Sequence, residues 1–330
     1  MRLSFSAACK QPQPLVNFPG GLINMEPFLP RRRKDKVVVV MGATGTGKSR
    51  LSIDLATQFP AEIINSDKMQ VYKGLDIVTN KVTEEECCGV PHHLLGFVDP
   101  NEDFSSVDFR HHASLAVESI IRRGRLPIIA GGSNSYIKSL INHDIKFQSS
   151  RYDICYLWID VSLPVLHSFV SGRVDRMVEA GLVDEVRSVF DPQADYTRGI
   201  RQAIGVPEMD RVFRAESAAS NDMSRTRLLE LAVDEIKANT CKLASRQFQN
   251  IVRLRNHLDQ RHMHCLDATD ALIKRGNEAE EAWEKLVAAP SAMIVRRFLY
   301  EDDFMAAIAA AAPPTSIIGA PTVAVAAATH

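Results

Sequence analysis

The chain has 330 residues, of which 45% are hydrophobic and 24% charged, with a formal net charge of −1. That is the composition of an ordinary globular protein with enough chain to bury a full core, and it excludes fibrous and low-complexity classes. A charge this close to zero supplies no overall positive field to recruit nucleic acid, and without an apolar run of about 18 residues no membrane span is expected.

Residues 1–36 stand apart. They carry no acid before Glu26 and end in the basic knot Arg31-Arg32-Arg33-Lys34, a pattern that resembles an organellar transit peptide. The stretch is read as a leader outside the fold, addressed to a plastid, with mitochondrion or cytoplasm as alternatives. Residues 305–330 are alanine-rich and broken by Pro313, Pro314 and Pro321, and are read as a disordered tail. The six cysteines (Cys9, Cys87, Cys88, Cys155, Cys241, Cys265) form no C-x-x-C pair and have no zinc-type histidine spacing, so reduced thiols are expected.

The core begins with VVVVMGATGTGKSRL, residues 37–51. Four valines predict a strand buried on both faces, and residues 50–59 have a helical pattern. Between them lies Gly42-Ala43-Thr44-Gly45-Thr46-Gly47-Lys48-Ser49, a phosphate-binding loop. Its glycines let backbone N–H groups crowd a phosphate, and the following helix turns its positive dipole end towards the anion. Lys48 adds a point charge and the Ser49 hydroxyl can hold Mg²⁺. The motif alone leaves open whether phosphate is transferred, hydrolysed or released.

Residues 61–67 predict a second strand with Asp67 at its carboxyl end, one strand over from the phosphate loop; 68–86 read as a loop. A helix is predicted over 106–123, stopped at Gly124. Residues 126–133 predict a third strand that delivers Gly131, Gly132 and Ser133 to the edge holding Asp67, and 152–160 a fourth that ends in Asp160. Strands alternating with helices predict an α/β fold, a P-loop NTPase-like parallel sheet flanked by helices. The pattern is helical over 164–224, an inserted subdomain, and a long helix follows over 225–252 with Leu229, Val233, Ile236, Leu243, Phe248 and Ile251 at helical spacing. The domain reading is therefore a core at 37–163, a helical subdomain at 164–224 and C-terminal helices at 225–304 completing the core. Between Lys237 and Arg261 six basic residues face one acid, Asp259; the run is either a solvated face or a polyanion site opposite the loop.

Two acids end strands. Asp160 has the context of a Mg²⁺-ligating acid of a nucleotide-using enzyme, which would fit a small-molecule kinase. Asp67, beside Lys68 and Gln70, is within reach of whatever the phosphate is attached to. Either could instead cap a helix. A non-catalytic nucleotide-binding module would leave Asp67 and the glycine pair without a purpose.

GATGTGKS, INSDKMQVYKGLDIVTNK, PHHLLG, LPIIAGGS, RVDRMVEAGLVDEV (173–186), IRQAIGVPE (200–208) and the Arg246-Gln247 pair together resemble the isopentenyltransferases that prenylate the N6 amine of adenine. The resemblance spans roughly residues 37–255. It implies that the loop grips the diphosphate of dimethylallyl diphosphate, with Lys48, Mg²⁺ on Ser49 and Arg246 stabilising charge as diphosphate leaves carbon. It further implies Asp67 as the base for the N6 amine, Thr79 as a hydroxyl partner of the acceptor adenine, and Gly131, Gly132 and Ser133 as neighbours of the donor. Arg173 and Arg201 match weaker motif positions and could be structural ion-pair partners. The family has a tRNA-acting branch and an adenylate branch. The tail lacks the Cys/His pairs of a zinc finger and the net charge does not favour tRNA, so the expected acceptor is AMP, ADP or ATP. The expectation is a monomer with two small-molecule substrates and neither tRNA nor membrane as partner.

Overall fold

The computed structural model describes residues 34–311, apart from 145–146, 148–150, 218–221, 257 and 259–261. The predicted leader, up to residue 33, and the tail beyond 311 lie outside the described residues.

The first strand, β1 (Asp35–Gly42), starts two residues before the predicted boundary. Helix α1 (Lys48–Gln58) and β2 (Ala61–Asn65) follow, then β3 (His92–His93) and α2 (Ser106–Arg122). Next come β4 (Leu126–Ala130), α3 (Asn134–His143), β5 (Tyr152–Asp160) and α4 (Leu163–Glu179). Helix α5 (Leu182–Ser188), two 3₁₀ turns (Gly199–Gln202, Pro207–Met209) and α6 (Asp210–Ser217) lead into the long α7 (Asp222–Arg255). The chain closes with β6 (Met263–Asp267), α8 (Thr269–Ile273), α9 (Asn277–Trp283), a π-helical turn (Glu284–Ala288) and α10 (Ala289–Ala311). The last helix thus runs past residue 304 into the expected tail.

The six strands form one all-parallel sheet in the order β3-β2-β4-β1-β5-β6. Strands β3 and β6 were not predicted. Two residues carry no periodicity, and MHCLD in β6 is mixed, with only Leu266 buried. Pleating sends alternate residues of β1 to opposite layers. Val37, Val39 and Met41 join Phe109, Val117 and Ile120 of α2 and Ile137 and Leu140 of α3. Val38 and Val40 join Leu51 and Leu55 of α1, Leu166 and Val170 of α4, and Trp283, Val287, Val295 and Phe298 near the C-terminus. Burying each such side chain contributes about 1.5–3 kcal/mol, which is why β1 reads as an unbroken apolar run. The first layer also takes in Val174, Val186, Ile200, Met209 and Phe213, so the helical stretch 164–224 shares its core with the sheet.

Because all strands are parallel, their carboxyl ends meet at one edge. The order corrects one expectation. Strand β4 lies between β1 and β2, so Asp67 is two strands from the phosphate loop. It still reaches the loop because the chain leaving β4 is Gly131-Gly132, with no side chains to block the way.

Candidate active site

The phosphate loop leaves β1 at Gly42, where a Cβ would lie 2.4 Å from Thr46 Oγ1 and 2.8 Å from the Ile159 carbonyl oxygen. Gly45 and Gly47 take left-handed backbone, φ 85° and 92°, and Gly47 caps α1. A side chain at either would be strained. The loop braces itself: Thr46 Oγ1 and Lys48 Nζ both donate to the Ala43 carbonyl, at 3.0 and 2.6 Å. Lys48 is buried. Burial lowers its pKa to about 8, with Asp67 opposing and Arg173 reinforcing that shift. Ser49, at the exposed first turn of α1, makes no side-chain hydrogen bond among the described residues, which leaves its hydroxyl available as a ligand.

The opposite wall is the turn after β2. Asn65 Oδ1 accepts from the Asp67 amide at 3.1 Å, and Asp67 Oδ1 accepts from the Met69 amide at 2.9 Å. These side-chain turns fix the Asp67 carboxylate. The chain after β4 packs directly on it. The Ser66 amide donates to the Ala130 carbonyl at 2.8 Å, the Ser133 amide donates to the Ser66 carbonyl at 3.2 Å, and Ser133 Oγ accepts from the Lys68 amide at 2.8 Å. A Cβ on Gly131 would fall 2.3 Å from the Ser66 carbonyl carbon, and one on Gly132 would lie 3.4 Å from Asp67 Oδ2. The two glycines are what let these turns approach.

Helices α7 and α4 complete the site. Gln247 is buried. Its Oε1 accepts from the Thr44 amide at 2.7 Å and its Nε2 donates to the Gly132 carbonyl at 2.9 Å, while Asn134 Nδ2 donates to the Gln247 carbonyl at 3.0 Å. On α4, Arg173 donates from Nη2 to Thr44 Oγ1 at 3.0 Å. Its Nε is buried with no partner, and burial lowers its pKa against the pull of Asp67. The loop therefore sits among a buried cation, Lys48, a half-buried one, Arg173, and one carboxylate. Keeping an excess of buried positive charge is costly, and a polyanion at the loop offsets that cost.

The other predicted residues fall as follows. Thr79 is buried and donates to the Leu75 carbonyl at 2.7 Å; Gln70 Nε2 donates to the Thr79 and Asn80 carbonyls. Asn80 and Lys81 line a cavity of about 730 Å³ that also receives Arg173 and Arg176, so the Thr79 turn borders the same space as the arginine on the loop. Arg246 is exposed, and its neighbour Gln247 makes the contact with the loop. Arg201 donates to Asn101 Oδ1, which ties the 199–202 turn to the loop at 100–101, and Gln202 of the same turn accepts from Lys68 Nζ at 3.3 Å, next to Asp67. Asp160 Oδ1 accepts from the Val161 amide at 3.0 Å and the residue pairs in register with Asp267; its pKa is raised by burial, with Asp267 adding to the shift. The basic run on α7 is a solvated face near Lys242 and Arg246, and Lys237 pairs with Asp175 at 2.6 Å.

Gln247 and Arg173 are the contacts that the sequence reading underweighted. For Gln247 a signal existed. Ile236, Thr240, Ala244, Gln247, Ile251 and Leu254 are all buried at spacings of three and four, so a polar side chain stands on the apolar stripe of α7, where burial demands partners.

Among the described residues no helix is long and apolar enough to cross a membrane, and Cys87, Cys88, Cys155, Cys241 and Cys265 are free thiols.

A profile of the family described as IPP transferase matches residues 70–150 and 142–253. Adenylate isopentenyltransferase 5, chloroplastic, of Arabidopsis thaliana is 61% identical over 295 residues, covering 88% of this chain and 88% of its own. Adenylate isopentenyltransferase 3, chloroplastic, of the same organism is 53% identical over 309 residues, covering 91% of each. Among solved structures, a eukaryotic dimethylallyltransferase acting on tRNA superposes with a TM-score of 0.68 at 24% identity, covering 81% of this chain and 80% of that one, a likeness of fold. With the sheet, the loop and identities of this size along nearly its whole length, the chain belongs to the IPP transferase family.

Proposed function

We propose that the enzyme transfers the dimethylallyl group of dimethylallyl diphosphate to the N6 amine of AMP, ADP or ATP and releases diphosphate, a step of cytokinin biosynthesis. The observation that carries the reading is the meeting, at one sheet edge, of a phosphate loop and a carboxylate that share two cations, the buried Lys48 and the half-buried Arg173. The 61% and 53% identities to adenylate isopentenyltransferases support the adenylate acceptor.

In this reading the loop amides, Lys48 and Arg173 bind the donor's diphosphate. The N6 nitrogen attacks C1 of the prenyl group as the C1–O bond breaks, and the electron pair leaves with diphosphate. The loop's positive groups are already in place to receive that charge, so little reorganisation is needed. The N6 lone pair is delocalised into the adenine ring, so the amine needs help. Asp67, held by its turn, accepts its hydrogen bond and then its proton. The cavity beside Asn80, Lys81 and Arg173 is the proposed seat of the acceptor, with Thr79 at its border.

No group of three or more His, Cys, Asp or Glu among the described residues is placed to hold a metal. A Mg²⁺ ion here would be held by the Ser49 hydroxyl, water and the donor's oxygens, the usual arrangement for this ion with phosphates. When bound it would supply charge neutralisation on the departing diphosphate. Arg246, exposed on α7, is kept only as a residue that reaches the phosphates once the donor is present. We further propose plastid import through residues 1–36, a monomer, and no use of tRNA.

The test is an acceptor assay with dimethylallyl diphosphate and AMP, ADP, ATP or an unmodified tRNA, with product mass recorded. A five-carbon addition to free nucleotides is expected. Prenylation of tRNA alone would transfer the enzyme to the other branch.

A further inference from the structure

We propose that Trp283 is a positioning residue for the phosphate loop, acting through Gly47; this rests on the reading that the loop holds the donor's diphosphate. Trp283 lies outside the stretch matched by the family profile, which ends at residue 253, and it comes from the last turn of α9. Its ring is buried against the Cα of Gly47: a Cβ there would fall 2.5 Å from Cη2 and 2.7 Å from Cζ3.

Three further contacts hold the ring in place. The indole Nε1–H donates to Asp54 Oδ2 at 2.8 Å, on α1. The Arg50 guanidinium, also on α1, stacks at 4.6 Å from the ring centroid. Arg50 in turn forms a two-pronged pair with Glu280 of α9, one prong 3.1 Å. Directly after Trp283 the helix opens into the π-helical turn Glu284–Ala288, a local irregularity found frequently at functional sites. The C-terminal segment thus grips both the loop's last glycine and the helix whose amides face the diphosphate.

The physical consequence follows from Gly47 itself. Glycine supplies the left-handed turn, φ 92°, but brings no side chain to hold it there. An unbraced glycine would let the loop amides wander between bound and unbound geometries, and the donor would have to order them on binding. A flat ring pressed on the glycine removes that freedom in advance. The ring acts through Gly47 on the loop and does not line the acceptor cavity, whose lining comes from residues 73–96 and 173–180. The effect of losing it is therefore selective.

The experiment measures KM for dimethylallyl diphosphate and for ADP separately in the full chain. Trp283→Leu should raise the donor KM on the order of tenfold, as when a support behind a binding group is loosened, and leave the ADP KM unchanged. Trp283→Phe, which keeps a ring on Gly47, should recover most of that loss. Val287→Ala, in the same apolar layer but off the loop, should lower the melting temperature without moving the donor KM. If Trp283→Leu shifts neither KM, or shifts both together as a general loss of folding would, the proposal is overturned. Lys48→Ala separates the two readings: an unchanged donor KM there removes the diphosphate from the loop, whereas a raised one beside an inert Trp283→Leu overturns only the positioning role. Should Trp283→Leu not fold, fluorescence decides. The chain has two tryptophans, so in Trp158→Phe the emission belongs to Trp283. It should shift when inorganic diphosphate binds, and binding without a shift would overturn the proposal.

Discussion

Gln247 accepts a hydrogen bond from the backbone amide of Thr44 at 2.7 Å, across 203 residues of chain. The same carboxamide donates to the Gly132 carbonyl at 2.9 Å. One side chain thus joins the phosphate loop to the glycine pair beside Asp67, and the distance between leaving group and base is set by a residue that need touch neither. Gln247→Leu keeps the volume but leaves the Thr44 amide unpaired, at a cost of about 1–3 kcal/mol, and takes one of two donors from the Gly132 carbonyl, which keeps only the Asn134 amide at 3.1 Å. A lower melting temperature with a reduced kcat/KM for the donor is expected. Thermal unfolding beside steady-state kinetics checks it, and a variant with wild-type kinetics would show that the staple is dispensable.

Lys48 gives the pH dependence. Its folded-state pKa is lowered from 10.5 to about 8 by burial, so the native state holds this proton less tightly than the unfolded chain does. Below about pH 8 the cation is carried at a cost to stability; between about 8 and 10.5 the native state sheds the proton first and the cost disappears. Lys48→Met should therefore raise stability near pH 7 by about 1–3 kcal/mol, a gain that vanishes as pH approaches 10.5. The same variant should use the donor poorly. In the wild type, donor kcat/KM, which reports the free enzyme, should fall above about pH 8 as the charge is lost. Denaturation midpoints and pH–rate profiles of both proteins measure the two effects.

For Asp67 the choice of substitution matters. Asparagine keeps an oxygen to accept from the Met69 amide, as Oδ1 does now, so Asp67→Asn should fold normally. It cannot take a proton, and kcat should drop by about 10²–10⁴-fold. Turnover close to wild type in a single-turnover assay would exclude Asp67 as the base.

Gly131→Ala tests the close approach of the two turns. The added methyl would meet the Ser66 backbone at 2.3 Å, where no flexible side chain can yield. A loss of at least about 1–3 kcal/mol is expected from overpacking. Because Ser66 immediately precedes Asp67, a displacement of 1 Å would also cost about 10²-fold in rate. A melting curve and kcat on the same preparation settle both.

What the sequence determined is what short-range chemistry encodes. The loop Gly42 to Ser49 is a contiguous motif whose spacing is its function, four valines in a row demand a strand covered on both sides, and a run such as YDICYLWID has no other economical fate. Asp67 and the glycine pair were legible because each stands where an apolar run stops. The tertiary structure decided what depends on neighbours distant in sequence. The insertion of β4 between β1 and β2 put Asp67 two strands from the loop, and only the missing side chains at Gly131 and Gly132 restored its reach. Strands β3 and β6 are too short or too mixed to announce themselves, and exist because a parallel neighbour supplies their hydrogen bonds. For the Arg246-Gln247 pair the sequence shows the charge, and only the fold shows which of the two touches the loop. The turn of α7 puts Arg246 in solvent and Gln247 on the loop, because a helix advances about 100° per residue and only one of two adjacent side chains can face inward.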